Sequence, residues 1–256
     1  MIVESNVQAL PGKWAMPSPL LALVAPDVGM ERVARRERVL LPFLFAVLCS
    51  LLAAAASSYR VDARDATLAT LERTGQLKTM SDRQIEDQTK DAERTYVVKT
   101  VAVGAVGPVV KLGLLCVGLL ALSWFVRGRA KGKALAAVAA VAMLPGAIEN
   151  LLAAGAALGR RSIPPDGPPL IPADLASMWA QISGHPVLGP AARLLGAFDV
   201  FSLWGALLAG YGLATAANLP LRRAMTATLV GWLCVHVLLA AATGGGGPGP
   251  HGGGHP

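Results

Sequence analysis

The 256-residue chain is 54% hydrophobic, 5% aromatic and 15% charged, with a formal net charge of +7. Soluble domains carry about 25% charged residues, so this composition, at a mean hydropathy of +0.51, argues against an ordinary water-soluble domain and points to lipid as the main solvent. The lysines and arginines cluster at the ends of apolar runs and form no stripe along one face, which argues against a nucleic-acid partner.

In chain order, PSPLLALVAPDVGMERVARRER (17–38) joins an apolar patch to a cluster of arginines. Such a segment is expected to lie on the inner membrane surface, held by anionic headgroups. Five apolar runs follow, at about 39–57, 101–126, 134–158, 195–217 and 224–243, each near the roughly 20 residues a spanning helix needs. The first begins some 38 residues into the chain, too late for a cleaved signal peptide. The expected fold class is an all-α membrane protein, a bundle of five transmembrane helices. It divides into a cytoplasmic or interfacial segment (1–38), a membrane domain (39–243) and a disordered tail (244–256) rich in Gly, Pro and His.

Between the runs, the charges set an orientation. MERVARRER, RGRAKGK and LRR are short and basic, whereas 59–99 balances its acidic and basic residues and 159–196 is rich in proline. The positive-inside rule then places the N-terminus in the cytoplasm and the C-terminus on the external, periplasmic side. In the first external loop, Ser81 and Gln84 have capping-box spacing, so a helix is expected to start near Asp82 and run into the second span. In the second, prolines delay any long helix until Asp174, after which a short helix from Ala173 towards Ile182 is expected on the outer surface, with Met178 and Trp179 at the interface. Cys49, Cys116 and Cys234 fall inside apolar runs without CxxC spacing and read as packing residues. No metal and no cofactor is expected: His251 and His255, on a glycine-proline tail, make a poor site.

Two spans carry a charge at matching depth. Lys111 lies 16 residues before Arg127, and Glu149 lies 16 after Lys133, so each sits about 24 Å from the basic loop between them. Pro108 precedes Lys111 by one turn and Pro145 precedes Glu149, each beside a glycine. The carbonyl freed by such a proline is tolerated in a membrane only where protein or water reaches it, so both prolines are expected to face inward. Gly104, Gly107, Lys111 and Gly118 share one helical face, and Ala142, Pro145, Gly146, Glu149, Ala153 and Ala156 another. The simplest expectation is a Lys111–Glu149 ion pair, since an unpaired charge costs about 2.5 to 3.5 kcal/mol at the bilayer centre. A pathway for protons or solute, joined by His236 about 20 Å above Arg223, is the alternative, and a lipid-headgroup or partner contact is a third. No catalytic grouping has support; Glu149, Asn150 and His236 are the remaining candidates for intramembrane chemistry.

Asp199 opens the fourth run as a helix N-cap, and Ser202, Ala206, Ala209 and Gly210 continue a small-residue side; Trp204 fits either the interface or the interior. The stretch LLGAFDVFSLWGALLAGYGLATAANLPLRRAMTATLVGWL, with Asp199, Phe201, Ser202, Leu203 and Trp204 as its distinctive part, resembles the closing two spans of bacterial proteins with a Yip (Ypt-interacting protein) domain. PSPLLALVAPDVGMERVARRERVLLPFLFAVL is similar to the surface segment and first span of such proteins. The resemblance implies the five-span layout, an inner-membrane location, and a non-enzymatic membrane-organising or partner-binding protein. Its partners would be the lipid bilayer and other membrane proteins or further copies of itself. The eukaryotic members carry a longer N-terminal domain and are linked to small GTPases of vesicle transport; the resemblance does not extend to that domain, so no GTPase partner is carried over.

Overall fold

The computed structural model describes residues 16–164, 169–185, 187 and 189–242, all helical apart from connections and two isolated bridges. The expected tail and the tail histidines lie outside the described residues. Two short helices come first, α1 (Ser18–Val24) and α2 (Pro26–Arg36), followed by α3 (Leu40–Arg60), α4 (Ala63–Arg73) and a 44-residue α5 (Asp82–Phe125). Then come α6 (Gly132–Ala142), α7 (Leu144–Gly159), α8 (Leu175–Ser183), α9 (Gly189–Gly196), α10 (Val200–Ala216) and α11 (Leu221–Ala242). Four helical stretches are long and apolar enough to cross a membrane: α3, α5, α6 with α7, and α11. The fifth, α10, has 17 residues, about 25 Å against the roughly 30 Å of a hydrocarbon core.

Two runs differ from the sequence expectation. The third is one span in two helices, broken at Met143. Pro145 has no N–H to offer the Val141 carbonyl, so the helical ladder lapses there. Bonds from Met143 N to Ala139 O (3.2 Å) and from Ala147 N to Met143 O (3.0 Å) carry the chain across. Pro108, by contrast, lies inside α5 without ending it. The fourth run was expected to open near Leu195, but Leu195 belongs to α9, and α10 begins only after Asp199. Asp199 starts a new helix because its side chain accepts the Ser202 N–H at 2.6 Å.

The main core gathers around α10. Leu208 and Leu213 of α10 and Leu135, Val138 and Val141 of α6 are fully buried, and Met30 of α2 inserts between them. The N-terminal segment is therefore docked on the bundle through Ala22, Met30 and Val33, while its arginines stay out; it does more than lie along lipid. Gly29 makes this turn-back possible, since a Cβ there would sit 2.3 Å from the Ala22 Cα. On the other side, α3 packs against α7 mostly through small residues, with Ala46, Cys49 and Ala147 clustered around Met143 at the break and Ala56, Ala154 and Ala157 in a second cluster. Close approach through small side chains is how membrane helices gain contact without a hydrophobic driving force. Cys49 is buried as expected, but Cys234 is exposed on α11.

The basic loops converge on one end. Helices α2, α5 and α10 each stop there at a residue with positive φ: Glu37 (49°), Arg127 (54°) and Asn218 (53°). The loops touch, because a Cβ on Gly128 would meet Ala217 and Leu219 at 2.9 and 3.2 Å. At the far end, α5 continues beyond the apolar run as a charged extension against which α4 packs. The whole of α5 is about 66 Å long. Its start shows the expected capping box: Ser81 N donates to Gln84 Oε1 at 2.9 Å and Gln84 N to Ser81 Oγ at 3.4 Å. Ser81→Ala is expected to cost about 1 kcal/mol locally, read as faster amide exchange over residues 82–85 with the membrane part unchanged.

Candidate functional site

Lys111 lies on the wall of a groove between α3, α5 and α7, a cavity of about 550 Å³. Its polar lining comes from all three helices: Ser50 and Ser57, Thr100 and Lys111, and Asn150. Pro108, Gly104, Gly107 and Gly146 also border it, so both proline-glycine pairs contribute a member. Gly104 closes one edge against α3, where a Cβ would stand 2.7 Å from that of Ala54. The Lys111 ammonium turns towards Gly146, 3.3 Å from the position a Cβ would take there. Among the described residues no carboxylate stands within 4 Å of it, and the side chains of Lys111 and Asn150 have no hydrogen-bond partner. The expected Lys111–Glu149 contact is therefore not closed. Equal depth sets the height of two residues, but the break at Met143 and the rotation of α7 bring Gly146 and Asn150 to the groove.

Glu149 instead lies within electrostatic reach of three groups, Asp199, Lys111 and Asp174. The two aspartates are a matched pair of helix caps. Asp174 accepts from Ser177 N (2.8 Å) and Ser177 Oγ (2.6 Å), as Asp199 accepts from Ser202 N. Their backbones form an isolated antiparallel bridge, with Leu175 N donating to Phe198 O (3.0 Å) and Val200 N to Ala173 O (3.1 Å). The starts of α8 and α10 are thus tied together, and the carboxylates face a common region. The repeated Asp-x-x-Ser spacing at 174–177 and 199–202 was the sequence clue to this pairing. The expected short helix is α8, and its Met178 and Trp179 are exposed, as an interfacial position requires.

His236 belongs elsewhere. It stacks on Phe198 (6.0 Å between centroids) and packs on Trp232 (4.7 Å), and its Nδ1 lies 2.9 Å from the Trp232 carbonyl oxygen. Trp232 Nε1 donates to Ser202 Oγ at 3.3 Å, which joins α11 to the cap of α10. Phe198 and Trp232 were not singled out from the sequence; the four-residue spacing of Trp232 and His236 within one helix was an available clue, whereas the contact with Phe198 appears only once the start of α10 meets α11. Along the distinctive stretch, Phe201 is half-buried, Leu203 is exposed and Trp204 packs inward against the main core. Ala206, Ala209 and Gly210 are buried, Gly210 against Met225 of α11. His236 with the aromatic rings is thus apart from Lys111 and Asn150 on the groove, while Glu149 is within electrostatic reach of Lys111 as well as of the two aspartates.

Outside the apolar runs, α4 and the α5 extension enclose a cavity of about 800 Å³ bordered by Thr67, Thr70, Gln88, Tyr96, Lys99 and Ile163. On the extension, Lys90 Nζ stands 2.7 Å from Glu86 Oε1. That hydrogen bond holds the Glu86 carboxyl below its ordinary range and the Lys90 ammonium above its own. No group of three or more His, Cys, Asp or Glu side chains suited to a metal ion occurs among the described residues.

No curated protein and no solved structure gives a significant match to the chain. The model of the Yip1 domain matches residues 20–242, from the docked N-terminal helices to the end of α11 and so across every apolar helix described above, and the chain belongs to the Yip1 domain family.

Proposed function

We propose that this protein works without catalysis, as a membrane-embedded component that organises or holds another membrane protein or a further copy of itself. The observation that carries this reading is the helical projection at the far end. One uninterrupted helix, α5, runs from the bundle into a charged extension whose Arg83, Asp87 and Arg94 are exposed, and α4 braces it. Exposed charges of both signs on a helix braced in this way suit a contact surface. In this reading α10 is the fifth span, the basic end is cytoplasmic, and the projection stands outside the cytoplasmic membrane. Transport through Lys111, Glu149 and His236 has no observation in its favour, because these three do not share one cavity.

The test is quantitative co-purification from native membranes with the wild type and with a variant carrying Arg83→Gln, Asp87→Asn and Arg94→Gln. The expected result is a specific membrane partner, or self-association, that the variant loses while it inserts normally. An identical set of co-purifying proteins for both would count against the projection as the contact surface.

A further inference from the structure

The groove around Lys111 is a different place from the projection, and its chemistry asks for a different ligand. The Lys111 side chain is exposed on the groove wall with no carboxylate within 4 Å among the described residues, and an ammonium facing lipid without a counter-anion is costly. Glu149 makes no salt bridge to Lys111, although the two interact electrostatically, and it does not border the groove. The groove offers donors instead: three N–H bonds on Lys111 and two on the Asn150 amide, with the hydroxyls of Ser50, Ser57 and Thr100 elsewhere along it, Thr100 being 11 residues from Lys111 on α5, about 16 Å. Donors in excess, with no carboxylate among the lining residues, make a site for an anion.

Depth identifies what brings the anion. Lys111 lies about 24 Å from the basic loop along α5, hence about 6 Å inside the opposite boundary of a hydrocarbon core about 30 Å thick. The Lys111 ammonium turns towards Gly146 on the groove wall, so a headgroup phosphate from that boundary has to enter the groove to meet it. Beside the donors the wall is apolar, with Ala46, Ala53, Val103 and Met143, which suits an acyl chain. We propose that the groove between α3, α5 and α7 binds the phosphate of an anionic phospholipid from the leaflet remote from the basic loops, with Lys111 as its counter-charge and Asn150 as a second donor. The proposal does not depend on which partner the projection takes.

Native mass spectrometry of the full chain released from micelles tests this, with phosphatidylglycerol, phosphatidylcholine and inorganic phosphate as probes. Phosphatidylcholine carries the same phosphate beside a fixed cation that Lys111 repels. The wild type is expected to prefer phosphatidylglycerol by about tenfold or more, about 1.4 kcal/mol. Lys111→Gln should lose that preference, Lys111→Arg should keep it, and Lys90→Gln on the projection should leave it unchanged. If Lys111→Gln does not fold, Asn150→Ala takes its place and should reduce the preference severalfold. Binding of inorganic phosphate as tight as that of the lipid, and dependent on Lys111, would support the anion site and assign its source to water. Equal binding of the two lipids by the wild type, or a preference that survives Lys111→Gln and Asn150→Ala, would overturn the proposal.

Discussion

Gly212→Ala is expected to destabilise the protein by about 1 to 3 kcal/mol, the usual cost of overpacking a filled core. A Cβ at this position would stand 2.3 and 2.7 Å from the two γ-carbons of Val138 and 2.6 Å from the Met30 Cε. Val138 and Met30 are both wholly buried; the Met30 end can adjust, but valine is stiff about its only side-chain torsion and both its γ-carbons are in the way. The glycine is where α2, α6 and α10 meet, and its substitution should loosen the docked N-terminal segment together with the core. Gly118→Ala is the control. A Cβ there meets nothing within 4 Å, so the better helix propensity of alanine should leave stability equal or slightly raised. Thermal unfolding in one detergent, followed for both variants, decides the matter; equal midpoints would mean that α2 does not dock as described.

The second large effect is expected at Asp199, and its sign depends on the substitution. Asp199→Ala removes the acceptor for Ser202 N and leaves the first turn of α10 open, at a cost of about 1 to 2 kcal/mol. Because that turn also holds the hydroxyl that takes the Trp232 N–H, the junction with α11 should loosen too, seen as a change in tryptophan emission. Asp199→Asn keeps an acceptor oxygen while removing one of the negative charges that share the region with Asp174 and Glu149. It is therefore expected to be at least as stable as wild type at neutral pH. If Asn and Ala are equally damaging, the carboxylate charge itself matters and its role as a cap is secondary.

These expectations show how much could be read before any coordinates. Apolar length located the spans, and the Ser81–Gln84 and Asp199 caps were legible because a cap is a local arrangement fixed by residues three apart. The helices α4 and α9 were missed. Both lie in segments without a strong apolar period; Asp62, which caps α4 by accepting from Arg64 N at 2.8 Å, was the available clue. What local chemistry could not reveal was helix rotation and docking. Met30 fell in the segment read as lying on the membrane surface, because its burial depends on Gly212, some 180 residues away in sequence. Lys111 and Glu149 were set at one height, and height says nothing of the direction in which a side chain leaves a helix that a proline has broken. His236 was grouped with the charges, although an aromatic neighbourhood supplied by Phe198 before α10 and Trp232 of α11 claims it.

The most direct measurement of the central claim, that the protein acts through contact at the α4–α5 projection, is site-specific photo-crosslinking in native membranes. The photoreactive residue is placed at exposed Asp87 of α5, and for comparison at Ala139, which is wholly buried in α6. The account predicts one or a few discrete protein adducts at position 87, either a partner or a second copy, and none at position 139. Unreacted protein alone at position 87, under conditions where labelled membrane lipid is captured from the bundle surface, would contradict it.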